Sequence, residues 1–153
     1  MDPSFKRPIE YFRVPEEERS SRILGNKDFI VIDKKTFIVR GTLTIPVIDS
    51  DKNFVWGMWA KVNEQTGNDI WNMWEYDGSN LPSYQGLLDI SPEGYQEIYN
   101  AKVSIQLMDK NNIPEFSLLD KGLLMYREQK NGITLNRIHD ILNVAMPWLF
   151  ENA

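Results

Sequence analysis

One histidine, His139, and 22 acidic side chains are what the chain offers for metal chemistry, since it contains no cysteine. Without thiolates, disulfides and thiolate metal sites are excluded, and one imidazole speaks against a structural zinc site. Asp49-Ser-Asp-Lys-Asn53 begins like a calcium loop but lacks the glycine and the closing glutamate such a loop needs. Neither a Gly-x-Ser-x-Gly elbow nor a Gly-x-x-x-x-Gly-Lys-Ser/Thr phosphate loop occurs. The carboxylate pairs Asp49/Asp51 and Glu75/Asp77 lie beside turns, where solvated acids ordinarily sit. The expectation is therefore no catalytic residue, no cofactor and no metal.

The aromatic residues carry more information. Four of the five tryptophans, Trp56, Trp59, Trp71 and Trp74, fall between Phe54 and Tyr76. The period changes within that stretch, from two before Asn63 to 3.6 after Asn68, so a strand hands over to a helix. Alternation puts Phe54, Trp56, Met58 and Ala60 on one strand face and Val55, Gly57, Trp59 and Lys61 on the other. Two readings follow. Both faces are covered, by the helix on one side and by the C-terminal helix or the N-terminal arm on the other, or one tryptophan is an exposed anchor for a partner.

Elements to position these residues are legible along the chain. Residues 1–13 read as an irregular arm, because Pro3, Pro8 and Pro15 interrupt any helix. Pro15 to Leu24 reads as a short helix stopped by Gly25-Asn26. Strands follow at Phe29–Asp33, Thr36–Ile48 and Phe54–Val62, then a helix over about Thr66–Tyr76. The segment Asp77–Pro92 reads as a turn-rich loop with at most a short strand at Tyr84–Leu88. Strands at Ala101–Met108 and Ile113–Leu119 flank an Asp109-Lys-Asn-Asn112 turn. Leu123–Glu128 is open between strand and helical turn. Thr134 caps a final helix with Leu135, Ile138, Leu142, Ala145 and Leu149 at helical spacing, kinked or ended by Pro147. The order predicts one α+β domain over residues 1–153, an antiparallel meander sheet with helices packed against it.

Composition agrees with a globular chain of 153 residues, 42% hydrophobic and 25% charged. A formal charge of −5 and no basic stripe argue against nucleic acid. The longest apolar run, Ile141–Phe150, is too short to span a bilayer, which takes about 20 residues. The start of the chain has no signal-peptide core. The expectation is a cytoplasmic protein that does not engage a membrane.

Three segments carry a family resemblance: Pro15-Glu-Glu-Glu-Arg19, Phe37-Ile-Val-Arg-Gly-Thr-Leu-Thr-Ile-Pro-Val47 and Phe54-Val-Trp-Gly-Met-Trp59. Pro92-Glu-Gly-Tyr95 and the Arg127-Glu-Gln-x-x-Gly-Ile-Thr134 stretch add to it. Together they resemble the uncharacterised bacterial family called domain of unknown function 2199, over roughly residues 10 to 145. The resemblance implies a bacterial origin and brings no activity. Members of that family often begin with a cysteine-rich, zinc-ribbon-like segment, and a family-typical histidine is replaced around Asp120-Lys-Gly122. A metal role would not carry over to a cysteine-free chain.

The leading expectation is a non-enzymatic protein-binding domain, in its most concrete form an immunity protein that plugs the active-site cleft of a basic toxin. Trp56 or Trp71, with Tyr76 and Tyr84, would anchor the partner, and Asp49, Asp51, Glu75 and Asp77 would steer association. The alternatives are a small enzyme or ligand receptor with a pocket beneath the Asp77–Pro92 loop, and a scaffold domain that forms a symmetric homo-oligomer.

Overall fold

The computed structural model describes residues 3–145. Within them lie seven strands and five α-helices: α1 (Ile9–Arg13), α2 (Arg19–Arg22), β1 (Ile23–Gly25), β2 (Phe29–Ile32), β3 (Thr36–Ile45), β4 (Phe54–Val62), α3 (Glu64–Asn72), β5 (Tyr84–Leu88), β6 (Lys102–Gln106), β7 (Glu115–Leu118), α4 (Leu124–Asn131) and α5 (Leu135–Ala145). The expected α+β composition is present. The part of the last helix assigned to Pro147 and Leu149 lies outside the described residues.

β3 organises the sheet. Its run of β-branched and apolar residues suits a long pleated strand. One edge pairs with β4 along its whole length, from Phe37↔Val62 to Ile45↔Phe54. The other edge changes partner. It takes β2 over Thr36–Val39, then β7 at Thr42↔Glu115, where the Thr42 amide donates to the Pro114 carbonyl at 2.9 Å. Four antiparallel steps separate β3 from β7, so that last pairing is parallel and the strands β3 to β7 close into a five-stranded barrel.

The expected open meander is thus corrected to a barrel. A strand pairing across more than seventy residues leaves no trace in local periodicity. It does depend on a local feature. A Cβ at Gly41 would lie 2.4 Å from the Phe116 ring, so only a bare backbone lets that ring enter the barrel interior. The ring packs among a fully buried set that includes Leu43, Met58, Leu88, Val103 and Ile105.

Trp56 and Trp59 do point to opposite faces, and both are fully buried. Trp56 lies edge-on to Phe54 and Tyr95. The N-terminal segment covers Trp59, whose indole N–H donates to the Phe5 carbonyl at 2.8 Å. The Gly57 amide donates to the Pro3 carbonyl, and Ser4 and Gly57 form a short parallel bridge. The supposedly irregular arm is therefore a covering layer that ends in α1, directly after Pro8. Proline is well suited to a helix start, which reading it only as an interrupter overlooks.

Other boundaries shift for local reasons. Pro15 to Leu24 is not one helix. Glu16–Glu18 is a 3-10 turn, α2 lasts four residues, and Ile23–Gly25 joins the sheet against β2. α3 begins earlier than expected because the Asn63 side chain accepts the Thr66 amide, and it ends at Asn72 rather than Tyr76. Gly67 lets α3 rest on β3, since a Cβ there would lie 2.7 Å from Phe37. The ambiguous stretch after Leu123 is α4. Thr134 caps α5 as expected, its hydroxyl accepting the Arg137 amide at 3.1 Å.

Gly41→Ala is expected to destabilise the fold by about 1–3 kcal/mol, the usual cost of overpacking a filled interior. Chemical denaturation checks this. Combining it with Phe116→Ala should cost less than the two single changes together, because the clash and the ring vanish as one.

Candidate functional site

β1 and β2 extend past the barrel along the first half of β3, and α3 lies over the inward face of that extension. A groove of about 220 Å³ opens there, lined by Leu24, Phe29, Val31, Phe37, Asn68 and Trp71. The register explains the lining. Directly opposed residues share a face, so Leu24 meets Val31 and Val31 meets Phe37 on one side of the sheet. Trp71 projects from α3 onto that side, its ring 5.3 Å from that of Phe29. Trp71 is 50% exposed and Leu24 58% exposed. A half-exposed tryptophan over a line of apolar side chains is the composition of an interaction patch.

The anticipated partner-binding residues do not form one surface. Trp56 is removed as an exposed anchor, because the barrel, Phe54 and Tyr95 enclose it. Trp71, Glu75, Tyr76 and Asp77 stay together on α3 and the turns after it, and all four are exposed. Tyr76 rims a smaller cleft of about 110 Å³ against the segment 107–114. Asp77 accepts the Ser79 amide and hydroxyl, which holds its carboxyl below the usual aspartate range. Asp49 and Asp51 lie at the far end of the β3–β4 hairpin, a strand length of roughly 25–30 Å away. There Asp49 accepts the Leu135 amide at the start of α5. Tyr84 stands on β5, half-buried. The segment 77–92 contributes Gln85, Gly86 and Leu87 to a shallow surface depression shared with Lys61 and Lys102. His139 is exposed on α5. Among the described residues, no three His, Asp or Glu side chains cluster so as to hold a metal ion. No helix among them is long and apolar enough to cross a membrane.

Composition alone did not reveal two buried polar groups. Glu128 of α4 accepts from the Tyr95 hydroxyl and, at 2.8 Å, from Arg137 Nε of α5; Arg137 also donates to the Tyr95 oxygen at 2.8 Å. Burial, then the Glu128 carboxylate, pushes the Tyr95 phenol up from its ordinary value. The three side chains tie together the turn after Pro92, α4 and α5. Asp89, fully buried at the end of β5, accepts the Glu10 amide with Oδ2, while Oδ1 has no hydrogen-bond partner. Burial raises its carboxyl above the usual range.

A family model described as an uncharacterized protein conserved in bacteria, DUF2199, matches residues 2–133. The chain belongs to DUF2199. No curated protein and no solved structure matches it. The segments of this DUF2199 chain that carried the resemblance meet in space. Tyr95 of Pro92-Glu-Gly-Tyr95 bonds Glu128 of the Arg127 stretch. In that same stretch Gln129 bonds the Leu118 amide and the Phe116 carbonyl, pinning α4 to β7. Its Ile133 pairs with Val47, exchanging hydrogen bonds with Pro46 and Ile48. These motifs are thus stitches between elements, and of the residues that carry the resemblance Phe37 reaches the apolar groove.

Tyr95→Phe should cost about 1–3 kcal/mol by leaving Glu128 and Arg137 short of a buried partner, measured by denaturant unfolding. For Asp89 the folded-state pKa is raised, so its contribution to stability is fully present below the unfolded value of about 3.9 and is lost as pH rises through the folded value. The stability of wild type relative to Asp89→Asn should accordingly be highest in acid and fall on titration toward neutrality. Unfolding curves at a series of pH values test the sign.

Proposed function

We propose that the chain is a protein-binding domain whose partner docks over the groove between β1, β2 and α3. The observation that carries this is Trp71, half-exposed over the apolar line of Leu24, Phe29, Val31 and Phe37. A tryptophan rimming a preformed apolar groove is the residue type on which interface energy concentrates. Tyr76, 65% exposed on the turn after α3, with Glu75 and Asp77 beside it, extends the surface toward the carboxylates that would steer a basic partner. An immunity protein that blocks a toxin is the narrower form of this reading, and it rests on the formal charge of −5 and that exposed aromatic patch.

Trp71→Ala should leave the thermal unfolding midpoint within a few degrees of wild type and weaken partner binding by roughly thirtyfold or more, the loss of about 2 kcal/mol typical of a hot spot. The measurement compares proteins retained from the native host by wild type, by Trp71→Ala and by Ile48→Ala, a control whose exposed side chain lies beyond the far end of β3. A set of retained proteins that Trp71→Ala leaves unchanged would overturn the proposal. The toxin form requires in addition that the retained partner arrest growth when expressed alone and not when co-expressed with this chain.

A further inference from the structure

The groove has a counterpart across the sheet. β1 pairs with β2 on one side only and is the outermost strand. The ladder is anchored by Asp33 N–H to Arg22 C=O and Asn26 N–H to Phe29 C=O, with Leu24 opposite Val31 between them. Hydrogen-bonded pairs alternate along an antiparallel ladder, so Leu24 faces β2 and the backbone groups of Ile23 and Gly25 face outward. The Ile23 amide is used by the Arg19 carbonyl at the end of α2. Ile23 C=O, Gly25 N–H and Gly25 C=O remain along an exposed edge.

A cleft of about 230 Å³ runs beside this edge, lined by Ile23, Leu24, Gly25 and Asn26 and, from the N-terminal layer, by Arg7, Tyr11 and Arg19. Both guanidinium groups lie over the Tyr11 ring, at 5.2 Å for Arg7 and 4.7 Å for Arg19. Each is held by one backbone carbonyl at 3.0 Å, that of Asn26 for Arg7 and that of Val14 for Arg19. Among the described residues neither forms an ion pair. The neighbouring acids are engaged elsewhere, Glu10 with Arg13 at 2.5 Å and Glu18 with Arg22 at 3.5 Å. In a chain of net charge −5, two such cations fixed on one cleft are a local reversal of sign.

We infer that β1 receives an extended segment of the partner as an added strand, with an acidic residue flanked by two apolar ones. This rests on the protein-binding reading above and names the chemistry of its partner. Side chains of an added strand alternate between the two sheet faces, and residues directly opposite share a face. The residue opposite Gly25 lies on the face of Ile23 and Ile30, where Arg7 and Arg19 stand; Gly25 itself has φ +130°, and a Cβ there would meet the Phe29 carbonyl of β2 rather than the cleft. The neighbours of that opposing residue lie on the face of Leu24, Val31 and Trp71. Main-chain hydrogen bonds supply affinity in this mode, and the flanking clefts supply selectivity. Guanidinium pairs bind carboxylates through charge-assisted, often bidentate, hydrogen bonds.

The test uses the full chain and the blocked peptide acetyl-Ser-Val-Glu-Val-Ser-amide, followed by amide and indole NMR. The peptide is expected to shift Gly25 N–H and slow its exchange, and to shift the Trp71 indole N–H. Replacing its Glu by Gln, or introducing Arg7→Gln with Arg19→Gln, should weaken binding roughly tenfold through loss of the charge-assisted bonds. Unchanged barrel amides in the double variant establish that it is folded. A saturating peptide that leaves the Gly25 amide unmoved, or a Gln peptide that binds as tightly, overturns the inference. Should Gly25 stay silent while Trp71→Ala still loses the host partner, strand addition fails and protein binding stands. Should the peptide order Gly25 while host capture ignores Trp71, the groove reading fails and the edge site stands.

Discussion

At Gly41 the main chain of β3 runs against the Phe116 ring with no side chain between them. That contact is the constraint on which the architecture depends. A ring of this size buries a large apolar area, and here it fills the barrel interior from β7. A substituent on Gly41 would press on that ring and strain the approach of β7 to the edge of β3 beyond Val39. With the ring in place, the Thr42 amide meets the Pro114 carbonyl and the sheet closes on itself. The same closure leaves the other half of that edge to β2, and so creates the overhang of β1 and β2 outside the barrel.

The overhang is where structure and proposed function meet. A closed barrel has no free edges, whereas β1 ends the sheet with unpaired backbone groups. Its two faces are dressed differently. Helix α3 rests on one through Gly67 and Phe37 and offers Trp71, while the N-terminal layer brings Arg7, Tyr11 and Arg19 to the other. Most of the residues that carry the family resemblance hold the scaffold, joining α4 to β7 and to the β3–β4 hairpin and the Pro92 turn to α4, while Phe37 and Arg19 belong to the two faces of the overhang.

Much of this was legible in the sequence, for identifiable reasons. Alternation across Phe54–Val62 is regular and polar turns bound it, so the pattern delimits β4 residue by residue. The Thr134 cap is legible because its chemistry is local. The opposite orientation of Trp56 and Trp59 followed from a period of two. Illegible features were those set by distant partners. Ile23-Leu24-Gly25 reads as the end of a helix until β2 lies beside it. Trp56 could not be assigned to core or surface without Tyr95 and the barrel. Glu128 ends a stretch open between strand and helical turn, and its burial is decided by Tyr95 and Arg137, which reach it from other elements.

The sequence by itself determined the types of the strands from Phe29 to Leu118 and of the helices after Asn63 and Thr134, the α+β composition, the absence of thiol chemistry and the family. Those properties depend on neighbours within a turn or a strand, where periodicity and capping act. Tertiary structure alone decided barrel closure, the burial of Trp56, the Tyr95–Glu128–Arg137 network and the site at β1, with an apolar groove on one face and two arginines on the other. Each of these joins residues far apart in the chain, so it arises from packing and hydrogen bonding that no local pattern encodes.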